Sequence, residues 1–136
     1  MKRQMINPAS VKAKHYDQLH FSSATRVGDM IWVSGQVGFD VATGKPGQGM
    51  AEQARLAFQN LKAVLEESGA TLADVVEIMT FHMDMRGPDI QAFAQVKDEF
   101  LPEHYPSWTG VGVTQLAHPA YLVEIRAVAV AGCGAD

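Results

Sequence analysis

The sequence predicts an α/β sandwich (an α+β fold) in which two helices lie on one face of a single mixed sheet. Two stretches repeat apolar residues at steps of three and four, the period of a helix with one buried side. The remaining apolar stretches are short and rich in β-branched and aromatic residues, as strands are. Their order is β-β-α-β-α-β-β, and a chain of 136 residues with 47% hydrophobic content is expected to form one domain over residues 1–136.

The first two strands are expected to form a hairpin. The stretches "SATRV" and "MIWVSGQV" flank Gly28 and Asp29, a pair suited to a tight turn. The residues before them are assigned to irregular structure. The loop "DVATGKPGQG" follows, and the apolar spacing then predicts a helix from Met50 to Ser68, with Gly69 ending it.

The second half repeats the pattern of strand, helix and strand. Thr71 and Asp74 have the spacing of a capping box, so a short helical turn precedes the strand "VVEIMTFHMDM". Pro88 is placed at the first position of a second helix, which Pro102 stops. The last two strands are "WTGVGVTQL" and "YLVEIRAVAV", joined by "AHPA".

Both faces of these strands are apolar, although two helices can cover only one of them. Met30 and Trp32 share one face of their strand, and Ile31 and Val33 share the other. Soluble proteins rarely leave a large apolar patch in water. The sequence therefore predicts a homo-oligomer that buries the second face.

Composition excludes several classes of partner. The chain carries 11 Lys and Arg against 15 Asp and Glu, a net charge near -4, and no basic stripe, so no nucleic-acid partner is expected. It has no apolar run suited to a membrane span or a signal peptide, and Cys133 is its single cysteine, which together predict a cytoplasmic protein. Four histidines assigned to loops have no metal-like spacing, so no metal site is expected: His15, His20, His104 and His118.

The last strand carries two charges among apolar neighbours. Glu124 and Arg126 share one face because side chains alternate along a strand. A charge removed from water needs a partner. Two interpretations remain open: the two residues form a structural ion pair, or Arg126 binds the carboxylate of a ligand.

Three stretches together resemble the RidA/YjgF family of reactive intermediate deaminases over nearly the whole chain. They are "VSGQVGFDVATGK", "AEQARLAFQNLKAVLEESGATLADVVE" and "VEIRAVAVA". The resemblance implies a chorismate-mutase-like fold and a homotrimer with three clefts between subunits. It also implies hydrolysis of 2-enamine and 2-imine acids to 2-keto acids and ammonia, with neither a metal nor an organic cofactor.

The chain departs from the family pattern at four positions. Archetypal members read Pro-Ala-Arg-Ser where this chain has residues 106–109, so Trp108 replaces the arginine that clamps the substrate carboxylate. Phe21 falls near the family's pocket tyrosine, and Gly110 takes the place of its common cysteine. Arg126 replaces the second glutamate of Val-Glu-Ile-Glu, which helps to position the attacking water in the family.

The resulting site hypothesis has Arg126 and Glu124 as catalytic residues. Arg126 is expected to clamp a carboxylate, with Trp108 as an apolar or stacking wall for a larger or aromatic substrate. Ser34 and Gly35 match the family's Ser-Gly, although a strand serine is as well interpreted as a small packing residue. The predicted substrate-binding set is Phe21, Ser34, Gly35, Trp108 and Gly110.

His82 offers a second possible base. It shares a strand face with Thr80 and Asp84, and an aspartate two residues away could orient an imidazole for proton transfer. The other interpretation is a histidine with satisfied hydrogen bonds at an interface or surface.

The sequence thus predicts a deaminase of reactive 2-imino or 2-enamino acids whose substrate preference differs from the archetype. The alternative is a trimer that binds a carboxylate or aromatic small molecule without turnover. A ribonuclease, the third possibility, is disfavoured by the acidic charge balance.

Overall fold

The computed structural model describes residues 1–135 and is built around one six-stranded mixed sheet. The strand order is β1-β2-β3-β6-β4-β5, and all neighbours are antiparallel except β4 and β5, which are parallel. The strands are β1 (Arg3–Ile6), β2 (Ala24–Val27), β3 (Met30–Val37), β4 (Val75–His82), β5 (Ser107–Gly112) and β6 (Val123–Val130).

Three helices accompany the sheet: α1 (Ala9–Lys12), α2 (Gly49–Glu67) and α3 (Asp89–Phe100). A π-helical turn, Ala13–Gln18, continues α1, and a 3₁₀ turn, Leu72–Asp74, precedes β4. Within residues 1–135, no helix has the length and apolar content that a bilayer crossing requires.

Helices α2 and α3 pack on the same face of the sheet, as the sequence predicted. Their rings meet over it: Phe58 of α2 and Phe93 of α3 stack with centroids 5.8 Å apart. The inward side chains of the central strands are fully buried beneath them, including Ile31, Ile78 and Ile125. Burial of this kind contributes about 1.5–3 kcal/mol for each large side chain.

The predicted hairpin and helices are confirmed with small changes in their ends. Gly28 adopts φ +58 in the turn between β2 and β3, a conformation that favours glycine. Thr71 donates its backbone N–H to the Asp74 carboxylate at 3.0 Å, as the capping pattern predicted. Pro88 stands just before α3 rather than inside it. Strand β5 ends at Gly112, earlier than the apolar run suggested, and β6 begins at Val123.

The assignment of the opening residues to irregular structure was wrong. Residues 3–6 form an edge strand that pairs with β2, and residues 9–18 are helical. Strand β1 is largely exposed and lacks an apolar alternation, so only its pairing with β2 defines it. The sheet therefore has six strands rather than five.

The sheet face opposite α2 and α3, called the open face below, is apolar and uncovered in the single chain. Met5, Met30 and Trp32 on this face are 47%, 37% and 40% exposed. Arg126 also lies here, because its strand neighbours Ile125 and Ala127 are buried under the helices. Strand alternation alone does not say which sheet face carries Arg126, and the position of the two helices decides it.

Candidate functional site

A cleft of about 390 Å³ lies at the end of the open face where β3 ends and β6 begins. Its floor is formed by the sheet residues Gly35, Val37 and Glu124. Its walls come from the helical segment before β2, the loop after β3 and the segment before β6. Wall residues include Lys14, His15, Leu19, Phe21, Phe39, Val41 and Tyr121.

Glu124 is the carboxylate of this cleft. It is half-buried, and removal from water raises the pKa of its side chain above the ordinary value. Within residues 1–135 no cation lies within ion-pair distance of it. A half-buried carboxyl group with a raised pKa takes up a proton more readily than a fully exposed one, so it is suited to exchange protons with a bound molecule.

Gly35 lets the Glu124 side chain lie flat against β3. A methyl group on Gly35 would stand 2.6 Å from Cδ and 2.9 Å from Cγ of Glu124, well inside ordinary contact distance. The backbone of Gly35 does not need a positive φ, so the missing side chain serves close approach rather than turn geometry. The predicted residues Gly35 and Glu124 are thus brought together.

Arg126 occupies the next position along β6 on the same face, but it does not line the cleft. Its side chain is exposed, and the structure forms no ion pair between it and Glu124. The interpretation of Glu124 and Arg126 as a structural ion pair is therefore wrong within one chain. Alternation along the strand places the Cβ atoms of the two residues about 7 Å apart, so both can face the same ligand.

One wall of the cleft is a stacked pair of rings that the sequence did not reveal. Phe21, predicted to line the site, does so, and the His15 ring stacks on it with centroids 4.8 Å apart and an interplanar angle of 25°. His15 was assigned to a loop but lies in the π-helical turn. Burial and the nearby Lys14 ammonium lower the pKa of His15, which favours the neutral imidazole.

Two side-chain amides of α2, the buried Gln53 and the partly buried Asn60, hold the loops that form the cleft. Gln53 donates to the carbonyls of Gly47 and Ala120 and accepts from the N–H of Leu122, at 3.1, 2.7 and 2.7 Å. Asn60 donates to the carbonyls of Val37 and Phe39, both at 3.0 Å. These hydrogen bonds give a structural role to the Gln and Asn of the stretch "AEQARLAFQN", because the two amides hold the backbone that carries Phe39 and Tyr121 at the rim.

Ser34 adjoins the cleft without presenting its hydroxyl to it. The Oγ donates to the Ser22 carbonyl at 2.7 Å, and the backbone N–H donates to the Ser23 carbonyl at 2.9 Å. These bonds tie β3 to the segment before β2. This geometry fits the interpretation of Ser34 as a small packing residue better than that of a residue whose side chain binds substrate.

Trp108 lies on the other side of the sheet from Arg126, so within one chain it does not form the wall of a site that contains Arg126. Its ring contacts Phe93 of α3, and its Nε1–H donates to Thr80 Oγ1 at 2.9 Å. The Lys97 ammonium stands 5.3 Å from the indole centroid. Gly110 faces the same side, since an added Cβ would contact Thr80 Oγ1 at 3.3 Å.

His82 is neither a surface histidine nor paired with Asp84. It is fully buried, and its Nε2 shares a hydrogen bond of 2.7 Å with Thr80 Oγ1. Its Nδ1 has no hydrogen-bond partner among residues 1–135, and burial lowers the pKa of the ring. The Asp84 carboxylate instead accepts from the backbone N–H groups of Arg86 and Gly87.

Comparison with known proteins assigns the chain that carries this cleft to a family. The model of the family described as Endoribonuclease L-PSP matches residues 13–131, which include every residue of the stacked wall and of β6. The chain belongs to this family, which is the RidA/YjgF family.

Members of the RidA/YjgF family with curated names are similar over most of the chain. The RutC family protein YjgH of Escherichia coli is 38% identical over 130 residues, covering 95% of both chains. A protein named 2-iminobutanoate/2-iminopropanoate deaminase from Dermatophagoides farinae is 37% identical over 111 residues, covering 81% of this chain and 84% of its own. The crystal structure of E. coli TdcF with bound serine superposes with a TM-score of 0.75 at 29% identity, covering 81% and 87% of the two chains.

Proposed function

We propose that this protein hydrolyses reactive 2-imino or 2-enamino acids to 2-keto acids and ammonia, with Glu124 as its acid and base. The observation that carries the proposal is the Glu124 carboxyl, half-buried on the cleft floor with a raised pKa and without an ion pair to any of residues 1–135. The family relative named 2-iminobutanoate/2-iminopropanoate deaminase supports the reaction class.

The reaction needs one group that first removes and then returns a proton. As water adds to the electrophilic C2 of the iminium, the Glu124 carboxylate takes a proton from it, which gives a carbinolamine. The protonated Glu124 then donates to the amine nitrogen and the C–N bond breaks. As the carbonyl forms, the carbinolamine hydroxyl gives its proton to the departing ammonia, which leaves the 2-keto acid and ammonium. A carboxyl whose pKa is moved toward neutrality serves both steps better than a fully exposed one.

Arg126 is the proposed carboxylate clamp. A 2-imino acid carries its carboxylate on the carbon that water attacks, so the clamp and the acid must face the same small molecule. Positions 124 and 126 satisfy this requirement, because their Cβ atoms are about 7 Å apart on one strand face and Arg126 is exposed on that face. Guanidinium binds a carboxylate through two parallel hydrogen bonds, which an ammonium group does not reproduce.

The proposed assembly is a homotrimer whose subunits cover one another's open faces. Exposed Met5, Met30 and Trp32 on that face support burial against another copy. In such an assembly the cleft, which opens at the end of the same face, would lie next to a neighbouring subunit. A monomer in sedimentation velocity at micromolar concentration would contradict this part of the proposal.

Turnover is tested by generating 2-iminopropanoate and 2-iminobutanoate in place with an amino-acid oxidase and following their disappearance. We expect acceleration by the wild type and a raised KM in Arg126→Ala. Arg126→Lys is the matched variant: it keeps the charge and loses the paired hydrogen bonds, so a clamp predicts only partial recovery. Equal KM values in all three proteins would exclude the clamp.

Failure of the wild type to accelerate hydrolysis of any imino acid would favour the second candidate, a trimer that binds carboxylate or aromatic molecules without turnover. The charge of the chain disfavours the nuclease activity that the family's description suggests. A net charge of -4 predicts weak attraction to RNA phosphates.

A further inference from the structure

The segment before β2 has an unusual backbone that sets the stacked wall of the cleft. In the π-helical turn Ala13–Gln18, the N–H of Leu19 bonds to the Lys14 carbonyl at 3.0 Å, five residues back. The N–H of Phe21 bonds to the His15 carbonyl at 3.1 Å, and His20 between them adopts φ +60. Such turns and left-handed non-glycine residues are uncommon, and they concentrate at functional sites.

This backbone serves to hold two rings face to face at the cleft. The interval from His15 to Phe21 is six residues, which a regular α-helix would not bring into register for stacking. With the π turn and the His20 kink, the rings stack on each other and both residues line the cleft. The adjoining wall residues Leu19, Phe39 and Val41 are apolar.

The space beside this wall exceeds what the smallest imino acids fill. The cleft measures about 390 Å³, whereas an apolar cavity of about 150 Å³ holds a benzene ring. A phenyl or branched alkyl group therefore fits together with the carboxylate and the reacting carbon. Three-carbon and four-carbon imino acids would leave the apolar walls in contact with water.

We propose that the stacked pair His15 and Phe21 selects 2-imino acids with an aromatic or large apolar side chain. The inference rests on the proposed function and adds a substrate class to it. The stacked rings and the apolar residues beside them pack against the side chain of the substrate, while Glu124 on the floor lies at the imino carbon. An aromatic contact of this kind changes affinity by about two- to tenfold beyond simple burial.

The test compares imino acids made by an amino-acid oxidase from alanine, leucine and phenylalanine. The readout is the ratio of kcat/KM for the phenylalanine-derived imine to that for the alanine-derived imine. His15→Ala removes the stack, and His15→Phe keeps it without the imidazole. Tyr16→Ala is the control, since Tyr16 is a neighbouring aromatic residue of the same turn that does not line the cleft.

We expect the wild type, His15→Phe and Tyr16→Ala to favour the phenylalanine-derived imine, and His15→Ala to lose about tenfold of that preference. A wild type that prefers the alanine-derived imine, or a His15→Ala variant with the wild-type ratio, would overturn the inference. Circular dichroism melting of each variant shows whether it is folded, and the ratio itself cancels any loss of active protein.

A second readout separates this inference from the deaminase proposal. Calorimetric titration with 3-phenylpropanoate and propanoate measures selection without turnover. If no imine is hydrolysed but 3-phenylpropanoate binds more tightly than propanoate and His15→Ala abolishes the difference, the wall assignment stands while the deaminase proposal fails. Equal affinity for both acids in the wild type would overturn the wall assignment whatever the kinetics show.

Discussion

Replacing Gly35 with alanine would displace the Glu124 carboxyl while leaving the rest of the cleft in place. The new methyl would stand 2.6 Å from Glu124 Cδ, and ordinary contacts begin at 3.4 Å, so the carboxyl must move by about 1 Å. Gly35 does not occupy the left-handed region, so alanine introduces no backbone strain there. The perturbation therefore acts on the position of one functional group.

We expect kcat/KM for imine hydrolysis to fall by about 100-fold in Gly35→Ala, a loss that a misplacement of about 1 Å can cause. Stability should change by less than about 1 kcal/mol, because alanine restricts the unfolded chain and the displaced side chain can turn toward solvent. Urea denaturation measures the second quantity, and the oxidase-coupled imine assay measures the first.

The control is the same substitution made in a Glu124→Gln background. There the displaced group no longer transfers protons, so Gly35→Ala should cost little further activity, and the two effects should not add. A Gly35→Ala variant with the wild-type rate would refute the reasoning. So would an equal loss in both backgrounds, since the methyl would then act on something other than Glu124.

Three further predictions concern stability. Trp108→Phe removes the N–H donated to Thr80 and should lower the free energy of unfolding by about 1 kcal/mol in urea; an unchanged midpoint would contradict this. Burial lowers the pKa of His82, so the unfolded chain binds the proton more readily and the free energy of unfolding falls as pH drops below about 6.5. His82→Gln should flatten this loss. Curves of unfolding free energy against pH that run parallel for the two proteins would contradict it. Gln53→Ala breaks three hydrogen bonds and should cost about 3 kcal/mol, whereas Arg55→Ala, in an exposed pair, should produce no resolvable change.

The sequence predicted the elements whose pattern is local. Helix α2 has a regular apolar spacing, and the turn at Gly28 has the chemistry its backbone requires, so both are confirmed. Strand β1 and the π-helical turn have no comparable pattern. Their conformations depend on pairing with β2 and on the packing of His15 against Phe21, which are contacts between separate parts of the chain.

The candidate site could be predicted only in part, because strand alternation is a local pattern and the packing of the helices on the sheet is not. Alternation correctly placed Glu124 and Arg126 on one strand face, but it does not say which face the helices cover. Once α2 and α3 occupy one side, Arg126 faces the open side and Trp108 faces α3, so the two cannot form one wall in a single chain. The six-residue spacing from His15 to Phe21 could have predicted that the two rings meet. That spacing brings them together only when the segment between them contains a π turn.

The proposed acid and base role of Glu124 is tested most directly by the rate of imine hydrolysis in Glu124→Gln. Glutamine keeps the size and the polar surface of the side chain but cannot transfer the proton. We predict a fall in kcat of about 100-fold or more with little change in KM. A Glu124→Gln variant that hydrolyses imino acids within about twofold of the wild-type kcat would contradict the role assigned to this carboxyl.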